Sequence, residues 1–296
     1  MPYRSIFAKD LFKGRTIVVT GGGSGIGRCT AHELAALGAK LILTGRKQDK
    51  LDAVVAEIRE DGGEATRYSF DIRDEDAVKA AVASMIADHG VIDGLVNNAG
   101  GQYPMPLAQI GRKGWDAVVA NNLTGGFLMS REVYLQCMQM RGGAIVNMAA
   151  DMWGGMPGMA HSGAARAGMI NLTETAALEW AASGVRVNAV APGYIASSGM
   201  DHYDDRFRAD VISKMADLAP LRRMGTESEV ASAIVYLLSP AAAFITGSCL
   251  RIDGGTSLAP RAFALAGDGN TPPFEGFHRA VKPKATGGQQ PTGPAA

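Results

Sequence analysis

The chain has 296 residues, 47% hydrophobic and 20% charged, long enough to bury a sizeable core. Lysine plus arginine equals aspartate plus glutamate at 29 each, so charge gives no reason to expect nucleic acid or an acidic membrane surface as partner. The three cysteines, Cys29, Cys137 and Cys249, are too far apart in sequence for a metal cluster or a disulfide framework, and no metal site is expected.

Residues 1–13 lack the apolar run of a signal peptide, and no stretch approaches eighteen consecutive apolar residues. With cysteines that read as buried thiols, this gives a cytoplasmic, non-membrane expectation. From 14 to 255, short apolar runs alternate with amphipathic helical patterns. The runs at 16–20, 40–44, 65–70, 92–97, 144–148, 186–190 and 248–252 are patterned as strands buried on both faces. Helical spacing is clear over 27–37, 49–60 and 74–89. The alternation predicts an α/β fold, a doubly wound, parallel seven-stranded sheet with helices on both faces. One domain is expected over 1–266, with an excursion at about 193–225 placed to act as a substrate lid. Residues 267–296 are rich in glycine, proline, threonine and glutamine and are expected to form a flexible tail.

The first strand runs directly into Gly21-Gly22-Gly23-Ser24-Gly25-Ile26-Gly27, and a helix follows. Glycines there allow a tight turn and a close approach to a pyrophosphate, and the helix N-terminus offers free amides. Position between strand and helix makes this a Rossmann-type dinucleotide signature, not a plain loop. The second strand ends at Arg46-Lys47, where an acidic residue would suit a bare ribose. Cationic groups there suit an added 2′-phosphate, so NADP is expected over NAD; the competing reading is a solvated basic turn. Asp71 and Ile72 follow the third strand, and Asn98-Ala99-Gly100 the fourth, on the same carboxyl edge.

Together these residues resemble the short-chain dehydrogenase/reductase family. The resemblance covers about 14–259 and rests on Thr20 through Gly27, Asp71, Asn97 through Gly100, Asn122, Pro192-Gly193 and Asp253-Gly254-Gly255. It implies adenine near Asp71, nicotinamide against Pro192, Gly193 and Ile195, and a homotetramer built through the helices near 114–140 and 160–182. The family places a serine after the fifth strand and a Tyr-x-x-x-Lys on the next helix. Here alanines follow that strand, and the helix reads His161-Ser162-Gly163-Ala164-Ala165-Arg166. Alignment puts Ser162 at the tyrosine and Arg166 at the lysine. This stretch is similar to trans-2-enoyl-CoA and 2,4-dienoyl-CoA reductases of the family, and the Ala-Asp-Met-Trp at 150–153 to bacterial citronellol and citronellal dehydrogenases.

A serine is a far weaker acid than a phenol, whereas arginine stays charged and can still bind ribose hydroxyls. Arg166 is therefore expected to hold the cofactor. The leading expectation is hydride transfer between NADP(H) and an apolar or CoA-linked acyl substrate, most simply reduction of a 2-enoyl thioester. Its alternatives are terpene alcohol dehydrogenation and a dinucleotide-binding protein without catalysis. Asn122, Ser162 and Tyr103 are candidate donors to an enolate oxygen, and Asp151 or His161 candidate proton carriers. Each has a competing structural role: Asp151 as a turn cap, His161 as a structural helix residue, Ser162 as a helix cap. Met156, Met159, Met169 and Met200 are either pocket lining or ordinary core.

Overall fold

The computed structural model describes residues 3–259, 267 and 269–286. Seven parallel strands form the sheet: β1 (Thr16–Thr20), β2 (Lys40–Gly45), β3 (Glu64–Ser69), β4 (Gly94–Asn97), β5 (Gly143–Met148), β6 (Val185–Pro192) and β9 (Cys249–Ile252). A two-residue pair, β7 (Ile195–Ala196) and β8 (Gly225–Thr226), stands apart. The main order is β3-β2-β1-β4-β5-β6-β9, so the direction of growth reverses between β1 and β4. That reversal opens a crevice at the carboxyl edge, the usual ligand site of such sheets.

Alternation along each strand feeds two cores. Ile17, Val19, Leu41 and Leu43 point to one face, where they meet Leu34 of α1 (Gly25–Ala36), Val54 of α2 (Gln48–Glu60) and Ile234 of α10 (Glu227–Leu238). Val18, Ile42 and Leu95 point to the other. There they meet Val82 of α3 (Glu75–His89), Met129 of α5 (Gly125–Val133) and Ala176 of α7 (Ala160–Trp180). Each fully buried aliphatic side chain contributes about 1.5–3 kcal/mol, which is why the central runs carry no polar alternation. The edge strands depart from the expected two-sided burial: β3 keeps only Ala65 buried, and Leu250 of β9 is half-exposed.

Helix α4 (Arg112–Val119) passes through a π turn at Ala120–Thr124 into α5, and a second π turn at Tyr134–Met138 leads to α6 (Gln139–Arg141). The excursion after β6 contains α8 (Asp205–Asp210) and α9 (Met215–Leu218) among short 3-10 turns. Its two ends are pinned together where Ile195 pairs with Gly225 and Ala196 with Thr226. Among the described residues no helix is long and apolar enough to cross a membrane.

The expected flexible tail differs from the structure over 269–286. Phe277 is buried against Tyr3, His32 and the Arg28 guanidinium. Arg279 bonds Asp61 and Glu60, and His278 bonds Asp61. One aromatic ring and a charge-paired arginine offset the ordering entropy that the polar composition otherwise leaves unopposed. Residues 268 and 287–296 of the tail lie outside the described residues.

A buried polar ladder ties the central strands to the helices above. Asn97 Nδ2 donates to Asn147 Oδ1 (2.8 Å) and Ser130 Oγ (2.7 Å), and Asn147 Nδ2 donates to Thr173 Oγ1 (2.9 Å). Asn147→Ala removes the link between β4, β5 and α7 and opens a cavity beside buried polar groups. It is expected to cost about 2 kcal/mol, read as a lower midpoint in urea unfolding.

Candidate functional site

A cleft of about 1850 Å³ runs along the carboxyl edge of the sheet. The glycine turn forms one end. Gly21 and Gly25 take positive φ (67° and 57°), and a Cβ on Gly27 would sit 2.4 Å from both Gly21 O and Asn98 Nδ2. Close packing of the turn therefore demands glycine at 27, while Gly21 and Gly25 need its left-handed backbone. Thr20 Oγ1 receives the Asn98 and Ala99 amides at 3.0 and 2.9 Å, and Asn98 Nδ2 returns a bond to Thr20 O at 2.9 Å. Asn98 thus staples the turn to β4 from behind, and it is not among the residues lining the cleft. Ser24 is the N-cap of α1 with no side-chain cap, and the first turn carries no acid. Together the close glycine cradle and the free amides fit a dinucleotide pyrophosphate.

Arg46 and Lys47 line the adenosine end with Asp71 and Ile72. Asp71 is engaged by Arg73, whose hydrogen bonds hold its carboxyl below the usual range, with Arg46 adding a smaller pull. Ile72 packs on the helix at Gly125, where a Cβ would lie 2.5 Å from its Cδ1.

The other end is organised by a buried cation. Arg166 donates from Nη1 to Met148 O and from Nη2 to Asn122 Oδ1 (2.9 Å), and lines the cleft with Gly100. Burial lowers its pKa to about 10, so it remains charged near neutrality. Asn122 sits in the first π turn, where Oδ1 also accepts from Gly101 N (3.0 Å) and Nδ2 donates to Gly101 O (2.8 Å). A Cβ on Gly100 would lie 2.5 Å from Arg166 Nη2, so the loop must stay bare there. Pro192 ends β6, and Gly193 packs on Asp253, where a Cβ would lie 2.8 Å from its Cα. Pro192, Gly193 and Ile195 line the same cleft as Ala99 and Gly100.

One candidate donor and one candidate proton carrier stand away from the cleft. Ser162 is fully buried, and its Oγ donates to Gln102 Oε1 at 2.5 Å. Gln102 Nε2 in turn reaches Tyr203 Oη at 3.4 Å. His161 is also buried: its Nδ1 accepts from Ser162 N (2.9 Å), and its ring meets Tyr103 edge-on at 4.8 Å. Asp151 does line the cleft. Burial raises its pKa above the ordinary carboxyl value, the charge of Asp253 adds to this, and Arg251 opposes it. Its amide is held by Pro192 O at 3.0 Å. Met156, Met159 and Met200 line the cleft, whereas Met169 is core.

Tyr194 is a cleft phenol absent from the sequence-derived candidates. Its pKa is raised by burial and then by the charge of Asp151. It follows Pro192-Gly193 directly, on a loop and outside the helical spacing on α7 that the family resemblance gives for its phenol.

Comparison with known proteins places this geometry. A family model described as enoyl-(acyl carrier protein) reductase matches residues 21–257. The chain belongs to the short-chain dehydrogenase/reductase family. A solved structure of a citronellol catabolism dehydrogenase from Pseudomonas aeruginosa PAO1 is 58% identical, with TM-score 0.78 over 86% of this chain and 100% of that one. A probable 2,4-dienoyl-CoA reductase of Bacillus subtilis is 35% identical over 84% of this chain and 99% of its own length. A 3-oxoacyl-[acyl-carrier-protein] reductase FabG of Staphylococcus epidermidis is 36% identical over 81% of this chain and 98% of its own. As a family member this protein is an oxidoreductase with the NAD(P)-binding fold.

Glu227, first residue of α10, stands behind the glycine turn: its Oε1 lies 3.8 Å from where a Gly25 Cβ would be. Burial raises its pKa from 4.5 to about 7. A carboxyl with a raised folded pKa stabilises the fold least when ionised, so its contribution falls as pH rises from 4.5 through 7. Glu227→Gln is therefore expected to raise the melting temperature at pH 8.5 relative to wild type and to change it less at pH 5.

Proposed function

We propose that this protein transfers hydride between NADP(H) and an apolar acyl substrate, most simply in reducing a 2-enoyl thioester. The observation that carries this reading is the placement of Ser162. At the family's phenol position, it is buried and committed to Gln102, while Ala149 and Ala150 line the cleft where a serine is otherwise expected. The edge therefore lacks the usual carbonyl-reducing acid pair, yet keeps a cation and a raised carboxyl. Conjugate reduction suits that set, since stabilising an enolate oxygen matters more than a strong acid beside it. When bound, a nicotinamide cofactor would supply the hydride for this reduction. Arg166 would hold the ribose hydroxyls of the bound cofactor and brings positive charge to the cleft; Asn122 fixes Arg166 and the Gly100-Gly101 loop. Asp151 delivers the proton that completes the α-carbon, and the methionines accommodate the apolar chain.

A second reading, oxidation of an acyclic terpene alcohol to its aldehyde, draws support from the 58% identity to the citronellol catabolism dehydrogenase. There Asp151 acts in the opposite sense, as base for the hydroxyl proton. Purified protein is assayed with NADPH and a panel of 2-enoyl-CoA esters, and with NADP⁺ and citronellol. Turnover on the first panel supports the leading reading and turnover on the second alone replaces it. Tight NADPH binding without turnover on either leaves only a dinucleotide-binding role. Half-exposed Leu135 and exposed Leu178, on the long helices, support assembly as the expected homotetramer.

Asp151→Asn is expected to lower kcat about a hundredfold, with the dissociation constant for NADPH unchanged. For enoyl reduction, the wild-type rate falls as pH rises through the raised Asp151 pKa, because the donor form is lost; the variant's rate stays flat. Arg46→Ala is expected to cut the NADPH-over-NADH preference in kcat/KM about tenfold, because a charge-assisted bond to a 2′-phosphate is lost.

A further inference from the structure

The family match ends at residue 257, yet residues 269–286 cross three parts of the body. The first contact is at the end of the cleft-lining excursion. Arg223 Nε donates to Thr271 O at 2.8 Å while its Nη groups grip Glu229, and Thr226 Oγ1 donates to Phe274 O at 2.7 Å. The second is on α1 and α2, where Phe277 is buried and Arg279 pairs with Asp61. The third returns to the start of the excursion: the short turn Lys284–Thr286 packs on Ser198–His202, and Ala285 N donates to Asp201 Oδ1 at 3.2 Å. Between its pinned ends the excursion has little regular structure, and it forms the cleft wall that carries Met200, Tyr203 and Phe207. Its own elements are too short to be stable alone.

We propose that residues 269–286 act as a clasp that locks the excursion 198–218 onto the nucleotide-binding helices and so holds the substrate wall in place. Phe277 and Arg279 are the fixed end of the clasp. The turn at 284–286 is the end that bears on the substrate wall. The inference rests on the reading of this excursion as the substrate wall, though not on which substrate it meets. A wall held from outside the family's own fold keeps the apolar cleft formed before substrate arrives, which lowers the ordering cost of binding.

Amide hydrogen exchange of the full chain tests this without substrate or cofactor, so its outcome is separate from any turnover assay. Phe277→Ala is expected to release the strap and to speed exchange over 198–218 about fivefold, with β1 and β4 unchanged. Asp201→Ala, which removes the acceptor for Ala285, is expected to speed the same segment, and Asp201→Asn, which keeps an acceptor oxygen, to restore protection. Faster exchange at 274–279 in Phe277→Ala with unchanged exchange over 198–218 overturns the clasp. Where Phe277→Ala fails to fold, the Asp201 pair decides: equal protection of 198–218 in Asp201→Ala, Asp201→Asn and wild type overturns it.

Discussion

A guanidinium buried without a carboxylate partner among the described residues organises one end of the cleft. Arg166 is held by one carbonyl, Met148 O, and one amide oxygen, Asn122 Oδ1. Burying a cation is costly unless hydrogen bonds replace its water, so both acceptors must be positioned without fail. Met148 O comes from the end of β5. Asn122 Oδ1 comes from the π turn, where the wider helical turn presents the side chain toward the loop after β4. The same Asn122 grips both polar groups of Gly101, so loop, strand and helix converge on one amide. Gly100 cannot bear a side chain because that space belongs to the guanidinium.

This constraint divides the edge into groups that hold and groups that face the cleft. Thr20 and Asn98 hold the glycine turn from behind; Ser24, Ile26, Arg46 and Ile72 face outward. Ser162 and His161 hold the start of α7 through Gln102 and Tyr103, whereas Asp151 and Tyr194 face the cleft, where burial and then the Asp151 charge raise the phenol's pKa. Burial acts on both charged groups of this edge, lowering the Arg166 pKa and raising that of Asp151.

The substrate side depends on a different kind of order. The excursion after β6 closes on itself through two backbone pairings, and its interior elements are a turn or two long. Its stability is borrowed from what lies against it. A single ring, Phe277, and a paired arginine, Arg279, convert a polar, glycine- and proline-rich segment into part of the body. Composition averages over a window and cannot register one aromatic anchor with a prepared socket of Tyr3, His32 and Arg28.

Local chemistry made much of the architecture legible. The strand at 16–20 was written in five residues that are all buried, and the helix over 49–60 in its amphipathic spacing, because period and burial are local properties. The glycine turn was legible because only glycine takes the backbone angles that Gly21 and Gly25 adopt and fits the tight space at Gly27. Tertiary structure alone decided which polar groups face the cleft. Sequence offers Ser162 as a donor and Asp151 as a proton carrier, yet one is sealed against Gln102 and the other opens to the cleft beside Tyr194. The difference lies in contacts between segments some 60 residues apart, Ser162 with Gln102, and in the excursion that brings Tyr194 to the edge. Side-chain direction at such a junction is set by what packs behind it, and no local pattern encodes that.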